Sequence, residues 1–209
     1  MNKLSGKTTI ITGAGSGIGK AIAIAFAQEG SNLILASRNT ESLNNTRDQI
    51  KKSGGNAIVV PTDVSKESDV INLFKTSTQE FDKIDILINN SGVMEGGSLE
   101  NLSLKTWNNV INVNLTGVFL CSREAFKIMK SQGNGRIINI GSISAQMPRI
   151  NSLPYSTSKH GIVGLTKSNF CVGSSNLNIL SCFSPIEQPV SIKTAMILII
   201  IRYIIWVRY

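Results

Sequence analysis

The sequence predicts an α/β fold in which a doubly wound parallel sheet lies between helices, a three-layer α/β/α arrangement. Short apolar runs of strand length alternate along the chain with longer stretches of helical periodicity. Most strand runs are apolar at consecutive positions, which is typical of parallel strands buried on both faces. Each strand is therefore expected to lead through a helix to the next strand in a right-handed crossover.

Five strands are predicted within the first 140 residues, and each consists mainly of apolar or β-branched residues. They cover residues 8–11, 33–36, 57–60, 84–88 and 136–140. Pro61 ends the third run, because a proline has no backbone N–H to give to a neighbouring strand.

Five helices alternate with these strands. The first begins near Ile18 and is ended by Gly30. The next three cover residues 40–52, 66–80 and 103–130, and the fifth begins near Pro154. The longest has an apolar face from Trp107 to Met129, and Gly133 and Gly135 end it.

The residues after Lys167 follow a different pattern. Gly173 and the serines and asparagines around it stop the helical periodicity, acidic residues become scarce, and isoleucines crowd the end. We therefore divide the chain into a domain of residues 1–167 and a divergent tail of residues 168–209. The last strand or strands of the sheet are expected to be missing or irregular, although residues 177–183 are compatible with a sixth strand.

Composition and charge narrow the class of partner. The formal net charge of +8 favours an anionic ligand, for which a dinucleotide phosphate suffices. Lysines and arginines are too scattered for a nucleic-acid-binding surface. Three cysteines without metal spacing and a single histidine predict no metal site. The odd cysteine count and a polar N-terminus indicate the cytoplasm. The Ile-rich end is shorter than the roughly 20 residues of a membrane span, so no membrane association is predicted.

A glycine-rich loop between the first strand and the first helix predicts a dinucleotide site. Glycines allow a tight turn and close approach of the backbone to a phosphate, and the helix N-terminus offers free N–H groups and a positive dipole end. The predicted cofactor-binding residues of this loop are Thr12, Gly13, Gly15, Ser16, Gly17, Ile18 and Gly19.

The end of the second strand predicts which dinucleotide is bound. A cofactor without a 2′-phosphate usually meets an acidic residue there. Ser37 and Arg38 instead offer a hydroxyl and a planar cationic fork, which suit a phosphate. We therefore expect NADP(H) to be preferred over NAD(H).

Polar residues follow all five predicted strands, at positions that a parallel sheet brings to one edge. They are Thr12, Arg38, Asp63, Asn89 and Ser142. We expect them to share the edge at which the ligand binds.

Tyr155 and Lys159 are the candidate proton-transfer pair. Hydride transfer to a carbonyl leaves an alkoxide that must gain a proton, and a tyrosine can supply it. An unperturbed phenol ionises only at about pH 10, and a neighbouring cation favours the phenolate. Lys159 lies one helical turn from Tyr155 on the same face. Ser142 is positioned to donate a hydrogen bond to the developing oxyanion.

These motifs, in this order, resemble those of the classical short-chain dehydrogenase/reductase family. The matching segments are the glycine loop at 12–19, Asp63-Val64, the NNSG sequence at 89–92, Asn114, Ser142, and Tyr155 with Lys159. Ser91 stands where the family usually has alanine. The resemblance covers residues 4 to about 167 and implies a Rossmann-like fold.

The resemblance also implies roles for individual residues. Asn114, Ser142, Tyr155 and Lys159 match the family's catalytic tetrad, in which the asparagine distorts a helix and holds a water for proton relay. Lys159 and Tyr155 would also contact the cofactor. Asp63 and Val64 would contact the adenine, and Asn90, Ser91 and Gly92 would complete the cofactor site. Relatives form homodimers or homotetramers through the long helix and the catalytic helix.

The predicted function is an NADP(H)-dependent oxidoreductase, a carbonyl reductase that interconverts a small ketone or aldehyde with its alcohol. Family members usually continue with about 40 more residues and a Pro-Gly turn over the nicotinamide, so the tail is read as truncated or frame-shifted. The main alternative is therefore an inactive remnant that binds dinucleotide at best. An epimerase or dehydratase of the extended relatives is disfavoured, because that class usually has a GxxGxxG loop and a longer C-terminal domain.

Overall fold

The computed structural model describes residues 2–168 and 176–182, which form a six-stranded parallel sheet with helices on both faces. The strands are β1 Thr8–Thr12, β2 Asn32–Ser37, β3 Asn56–Pro61, β4 Ile86–Asn89, β5 Asn134–Ile140 and β6 Asn176–Cys182. The helices are α1 Gly17–Gln28, α2 Thr40–Lys52, α3 Glu67–Phe81, α4 Leu104–Ile111, α5 Gly117–Gln132 and α6 Leu153–Ser168. The predicted doubly wound α/β fold is confirmed.

The strand order β3-β2-β1-β4-β5-β6 reverses direction between β1 and β4. Ile10 pairs with Ile34 of β2 on one side and with Leu87 of β4 on the other. The helices that follow β1 and β4 therefore leave on opposite faces, and a crevice opens at the carboxyl ends of these two strands. Ligands of open α/β sheets bind at such a switch point.

Two apolar clusters, one on each face of the sheet, hold the three layers together. On one face, Ile11 packs with Phe26 of α1 and Leu43 of α2. On the other, Ile10 packs with Phe74 of α3 and with residues of α5. Successive residues of β1 thus point into different clusters, which is why its consecutive isoleucines are both fully buried.

The predicted helix 103–130 is not one continuous α-helix. A π-helical turn, Asn112–Thr116, separates α4 from α5. Periodicity could not show this break, because the apolar residues continue through it. It is a helix distortion centred on Asn114, of the kind that the family resemblance implied.

Two strand boundaries differ from the prediction by two residues, because side chains and neighbouring strands compete for backbone hydrogen bonds. Residues 84–88 were expected as a strand, but β4 starts at Ile86. The backbone N–H and C=O of Ile84 bond instead to the side-chain amide of Gln132. β5 begins at Asn134, two residues early, because Asn134 and Gly135 pair with β6.

The sixth strand is formed by residues 176–182 and pairs with β5 in parallel over seven positions, from Asn134↔Asn176 to Ile140↔Cys182. It coincides within one residue with the segment considered for this role. Any further strand, and the features noted at Gly173 and near the end of the tail, fall outside the described residues. The division at residue 167 stays a prediction. Among the described residues, no helix is long and apolar enough to cross a membrane.

Candidate active site

The glycine loop and the loop after β4 are joined by four hydrogen bonds. Thr12 Oγ1 accepts the backbone N–H groups of Asn90 and Ser91, each at 3.0 Å. The Asn90 side-chain amide donates to the carbonyl oxygens of Thr12 at 3.0 Å and Gly13 at 3.3 Å. These bonds fix the two walls of the switch-point crevice relative to each other. Asn90, predicted to bind the cofactor, has its amide committed to this link.

Two glycines of the loop are required by close packing. Gly13 has a φ of 67°, and a Cβ there would lie 2.8 Å from the Asn90 side-chain nitrogen. A Cβ on Gly19 would overlap the carbonyl oxygen of Gly13. Any larger residue at either position would push the loop off the start of α1.

The N-terminus of α1 is open to an anion. Ser16 precedes the helix but makes no capping hydrogen bond, and the first turn contains no acidic residue. Ser16 and Gly17 are exposed, and a Cβ built on Gly17 would meet no atom within 4 Å. The free N–H groups and the positive end of the helix dipole therefore face open space at the crevice. These residues fit a dinucleotide pyrophosphate.

The ends of β2 and β3 bring a cation close to a carboxylate. Ser37 ends β2, and Arg38 follows it with an exposed side chain. Burial raises the pKa of Asp63, but hydrogen bonds from the Ser65 hydroxyl and N–H, with the nearby Arg38 and Lys66 cations, bring it below its ordinary value. Asp63 is thus an anion near Arg38, and both lie on the outer side of the crevice.

Val64 and Gly92 occupy packed positions beside the crevice. Val64 is buried, and a Cβ on Gly117, the first residue of α5, would come within 2.8 Å of it. Gly92 is exposed and lies next to the side chain of Asn114. The small size of Gly117 and Gly92 lets the π-helical turn approach both loops.

Asn114 is fully buried, and its side-chain amide makes three hydrogen bonds to protein groups. Its Oδ1 accepts the N–H of Val93 at 2.8 Å, and its Nδ2 donates to the Val93 carbonyl at 2.9 Å and to Ser158 Oγ at 3.3 Å. The side chain thus fastens the π-helical turn to the loop after β4 and to α6. Both amide hydrogens are thus given to protein groups, so the side chain has no donor left for a water.

Ser142 follows β5 and begins the short 3₁₀ turn Ile143–Ala145, which packs against α6. Its Oγ accepts the N–H of Ser144 at 3.1 Å, and the side chain is half-buried. Because that contact uses the oxygen as acceptor, the hydroxyl proton is free for another partner.

Tyr155 and Lys159 lie one turn apart on α6 and face each other. The Lys159 Nζ lies 5.7 Å from the centroid of the Tyr155 ring. It donates to the Ile140 carbonyl, the last residue of β5, at 2.8 Å. Lys159 is buried, and desolvation lowers its pKa from 10.5 to about 8. The pair is therefore anchored at the carboxyl end of β5, the edge at which β1 and β4 open their crevice.

One predicted edge residue does not reach the edge. Asn89 is buried, and its side chain donates to Ser122 Oγ at 3.0 Å and to Asn139 Oδ1 at 2.8 Å. Asn139 in turn donates to Thr166 Oγ1 at 3.0 Å. This chain of bonds runs along one face of the sheet, from α5 past β4 and β5 to α6, and stabilises the position of α6. The expectation that Asn89 shares the ligand edge is wrong, because its side-chain amide donates its hydrogen bonds to buried residues of the core.

Sequence reasoning missed Asn139, Thr166 and Ser158. The only available signal for Asn139 was an amide inside the apolar run of β5. Such a residue is costly to bury without a partner, so it implies a second buried polar group. Within residues 2–168 and 176–182, the structure groups no three His, Cys, Asp or Glu side chains that could hold a metal.

Comparison with known proteins identifies the family. The family model for short chain dehydrogenases matches residues 7–175. The chain belongs to the short-chain dehydrogenase family. Short-chain dehydrogenases are oxidoreductases that act on CH–OH or carbonyl groups of small molecules.

Several known short-chain dehydrogenases and reductases are similar in sequence or structure. A 3-oxoacyl-[acyl-carrier-protein] reductase of Synechocystis sp. is 37% identical over 169 residues, which are 80% of this chain and 68% of that protein. A metagenomic short-chain oxidoreductase in complex with NADP superposes with a TM-score of 0.88 at 27% identity, covering 95% of this chain and 91% of that one. An actinorhodin polyketide ketoreductase variant with NADPH gives a TM-score of 0.81 at 31% identity, covering 84% and 68%. The chain thus spans about two thirds of the length of two of these relatives.

Proposed function

We propose that this short-chain dehydrogenase reduces a ketone or aldehyde with NADPH, or oxidises the corresponding alcohol with NADP⁺, with Tyr155 as general acid and base. The observation that carries the proposal is the pairing of a half-buried phenol with a buried ammonium, 5.7 Å from ring centroid to Nζ. Lys159 is held by the last residue of β5, so the pair lies on the ligand-binding edge of the sheet.

Each catalytic residue has one task in this proposal. The bound nicotinamide supplies or accepts the hydride. The Ser142 hydroxyl, whose proton is free, donates a hydrogen bond to the substrate oxygen and stabilises its developing charge. Tyr155 transfers the proton to or from that oxygen. Lys159, with a pKa of about 8, is largely protonated at neutral pH and favours the phenolate beside it.

Asn114 contributes through the backbone in this proposal. Both hydrogens of its side-chain amide are donated, to Val93 and to Ser158, and its oxygen accepts from Val93. A π-helical turn leaves a backbone carbonyl without its usual helical partner, and such turns are frequent at functional sites. The turn Asn112–Thr116 is therefore the candidate holder of a relay water, with the Asn114 side chain fixing its position.

The test of the function is reduction of a panel of ketones and aldehydes by the purified chain with NADPH, with the alcohol product identified by mass spectrometry. Product formation in proportion to NADPH consumed is the expected result. A chain that binds NADPH but reduces no member of the panel would instead support the reading of a dinucleotide-binding remnant.

Arg38 is proposed to select NADP(H) by contact with the 2′-phosphate, and the NADP- and NADPH-bound relatives support this preference. Replacing Arg38 with Leu should weaken NADPH binding about 10- to 100-fold, because a charge-assisted hydrogen bond is lost. NADH binding should change little. Calorimetric titration of both cofactors measures the difference. Arg47→Leu on α2, an arginine paired with Asp48, is the matched control. Tighter binding of NADH than NADPH by the wild type would contradict the proposal.

We also propose a homodimer that uses the exposed face of α5. Phe119 on this face is 48% exposed, and the Arg123 guanidinium lies 5.6 Å from the centroid of its ring. An aromatic and an arginine side by side are typical of interface cores. Phe119→Asp should convert the dimer to a monomer in size-exclusion chromatography with light scattering, whereas Ile71→Asp on α3 should not. A monomeric wild type would refute this part of the proposal.

A further inference from the structure

Ser158 lies on α6 between Tyr155 and Lys159 and is completely buried. Its Oγ donates to the Tyr155 carbonyl at 2.7 Å and accepts from Asn114 Nδ2 at 3.3 Å. It is hydrogen-bonded both to the π-helical turn and to the turn of α6 that carries the phenol and the ammonium.

The direction of these hydrogen bonds is determined at each step. The Val93 N–H must donate, so the oxygen of the Asn114 amide faces it and the NH₂ group faces Ser158. A backbone carbonyl can only accept, so the single hydroxyl proton of Ser158 goes to Tyr155 and its oxygen accepts from Asn114. The chain of bonds runs from the loop after β4, through the π-helical turn, to the backbone of Tyr155.

We propose that Ser158 is a positioning residue, which sets the placement of Tyr155 and Lys159 relative to the crevice wall formed by the loop after β4. This inference rests on the proposed function. A serine hydroxyl bonded to a carbonyl of the preceding turn also bends a helix slightly, which aims this turn of α6. Ser158 acts through Tyr155 and Asn114 and is not itself a proton donor to substrate.

The first test is steady-state kinetics of Ser158→Ala with the carbonyl substrate that the wild type reduces best. We expect kcat to fall about 10- to 100-fold, because small displacements of a catalytic group have effects of this size. The NADPH dissociation constant, measured by fluorescence, should change by a smaller factor than kcat, since the glycine loop is untouched. Ser158→Thr, which keeps the hydroxyl, should recover most of kcat.

Ser156→Ala is the matched control. Ser156 is a buried serine on the same helix, and its Oγ is hydrogen-bonded to Ser152 Oγ at 2.8 Å, away from Asn114. It should lower the thermal midpoint but keep kcat within about twofold of wild type. Equal losses of kcat in the two variants, or an unchanged kcat in Ser158→Ala, would overturn the inference. If Ser158→Ala does not fold, Ser158→Cys replaces it with the same expectation.

A second test needs neither cofactor nor turnover. Urea unfolding of the chain with Ser158→Ala, Asn114→Ala and both changes forms a double-mutant cycle. If the Asn114–Ser158 bond is formed, the two stability losses are not additive, and the double variant loses less than their sum. Additive losses would show that the two side chains are uncoupled, which overturns the inference.

Failure of the inference is distinguishable from failure of the proposed function. A wild type that reduces no carbonyl compound removes the proposed function, and with it the positioning role. An active wild type whose Ser158→Ala variant keeps its kcat removes only the role of Ser158.

Discussion

Tyr155→Phe is expected to lower carbonyl reduction by at least about 100- to 10,000-fold, the range that general acid–base catalysis contributes. The substitution removes only the phenolic oxygen, so the ring keeps its place beside Lys159. The glycine loop and its bonds to Asn90 are not touched. NADPH binding should therefore remain close to wild type. Single-turnover reduction and a fluorescence titration of NADPH measure the two quantities separately.

One outcome for the Tyr155→Phe variant would contradict the assignment of Tyr155 as general acid. A Tyr155→Phe variant that keeps turnover within about tenfold of wild type would show that another group or a water supplies the proton, since loss of the general acid costs more than this. Loss of NADPH binding together with turnover would point to disturbed folding instead. A thermal melt of the apo variant distinguishes that case.

Lys159→Met should have opposite effects on activity and on stability. Turnover should fall by about 100-fold or more, because the phenol loses its neighbouring cation. The apo chain should become more stable at pH 7 by about 1 kcal/mol, since a buried cation is replaced by an apolar side chain of similar length. The gain is limited because the Ile140 carbonyl loses its donor. Urea unfolding at pH 7 measures the difference.

The pH dependence of that stability gain follows from the pKa of Lys159. Burial lowers this pKa to about 8, below its ordinary value of 10.5. Between these two pH values the unfolded wild-type chain binds more protons than the folded chain. The free energy of unfolding of the wild type therefore increases as pH rises. The advantage of Lys159→Met should be largest below pH 8 and should shrink toward pH 10. Lys75→Met, at an exposed position, is the control. A constant advantage across this range would contradict the prediction.

Much of the fold followed from hydrophobic pattern alone. Consecutive buried residues such as Ile10 and Ile11 require a sheet covered on both faces, and the structure puts a separate cluster on each face. The pattern could not locate the π-helical turn, because a one-residue insertion keeps the apolar character of the helix. It also misplaced the start of β4, since Gln132, 48 residues away, takes the backbone bonds of Ile84.

The residues of the candidate site could be predicted from the sequence, but the hydrogen bonds between them could not. The glycine loop and the Tyr155–Lys159 pair follow from residue types and spacing, and the structure gathers them at the carboxyl edge of the sheet. The sequence could not show that the Asn90 side-chain amide donates a hydrogen bond to the backbone of the glycine loop. Nor could it tell that Asn114 donates both of its amide hydrogens, to Val93 and to Ser158. Such bonds join residues far apart in the chain, which local spacing does not encode.

The turn Asn112–Thr116 accommodates one residue more than a regular helix of the same rise. We expect a chain shorter by one residue there to run as a single α-helix from Leu104 to Gln132. The extra residue is thus not needed for a helix to form here, and in the proposed function it serves the relay water. We expect deletion of a single codon there to remove the proposed relay site, while the sheet and its other helices still form.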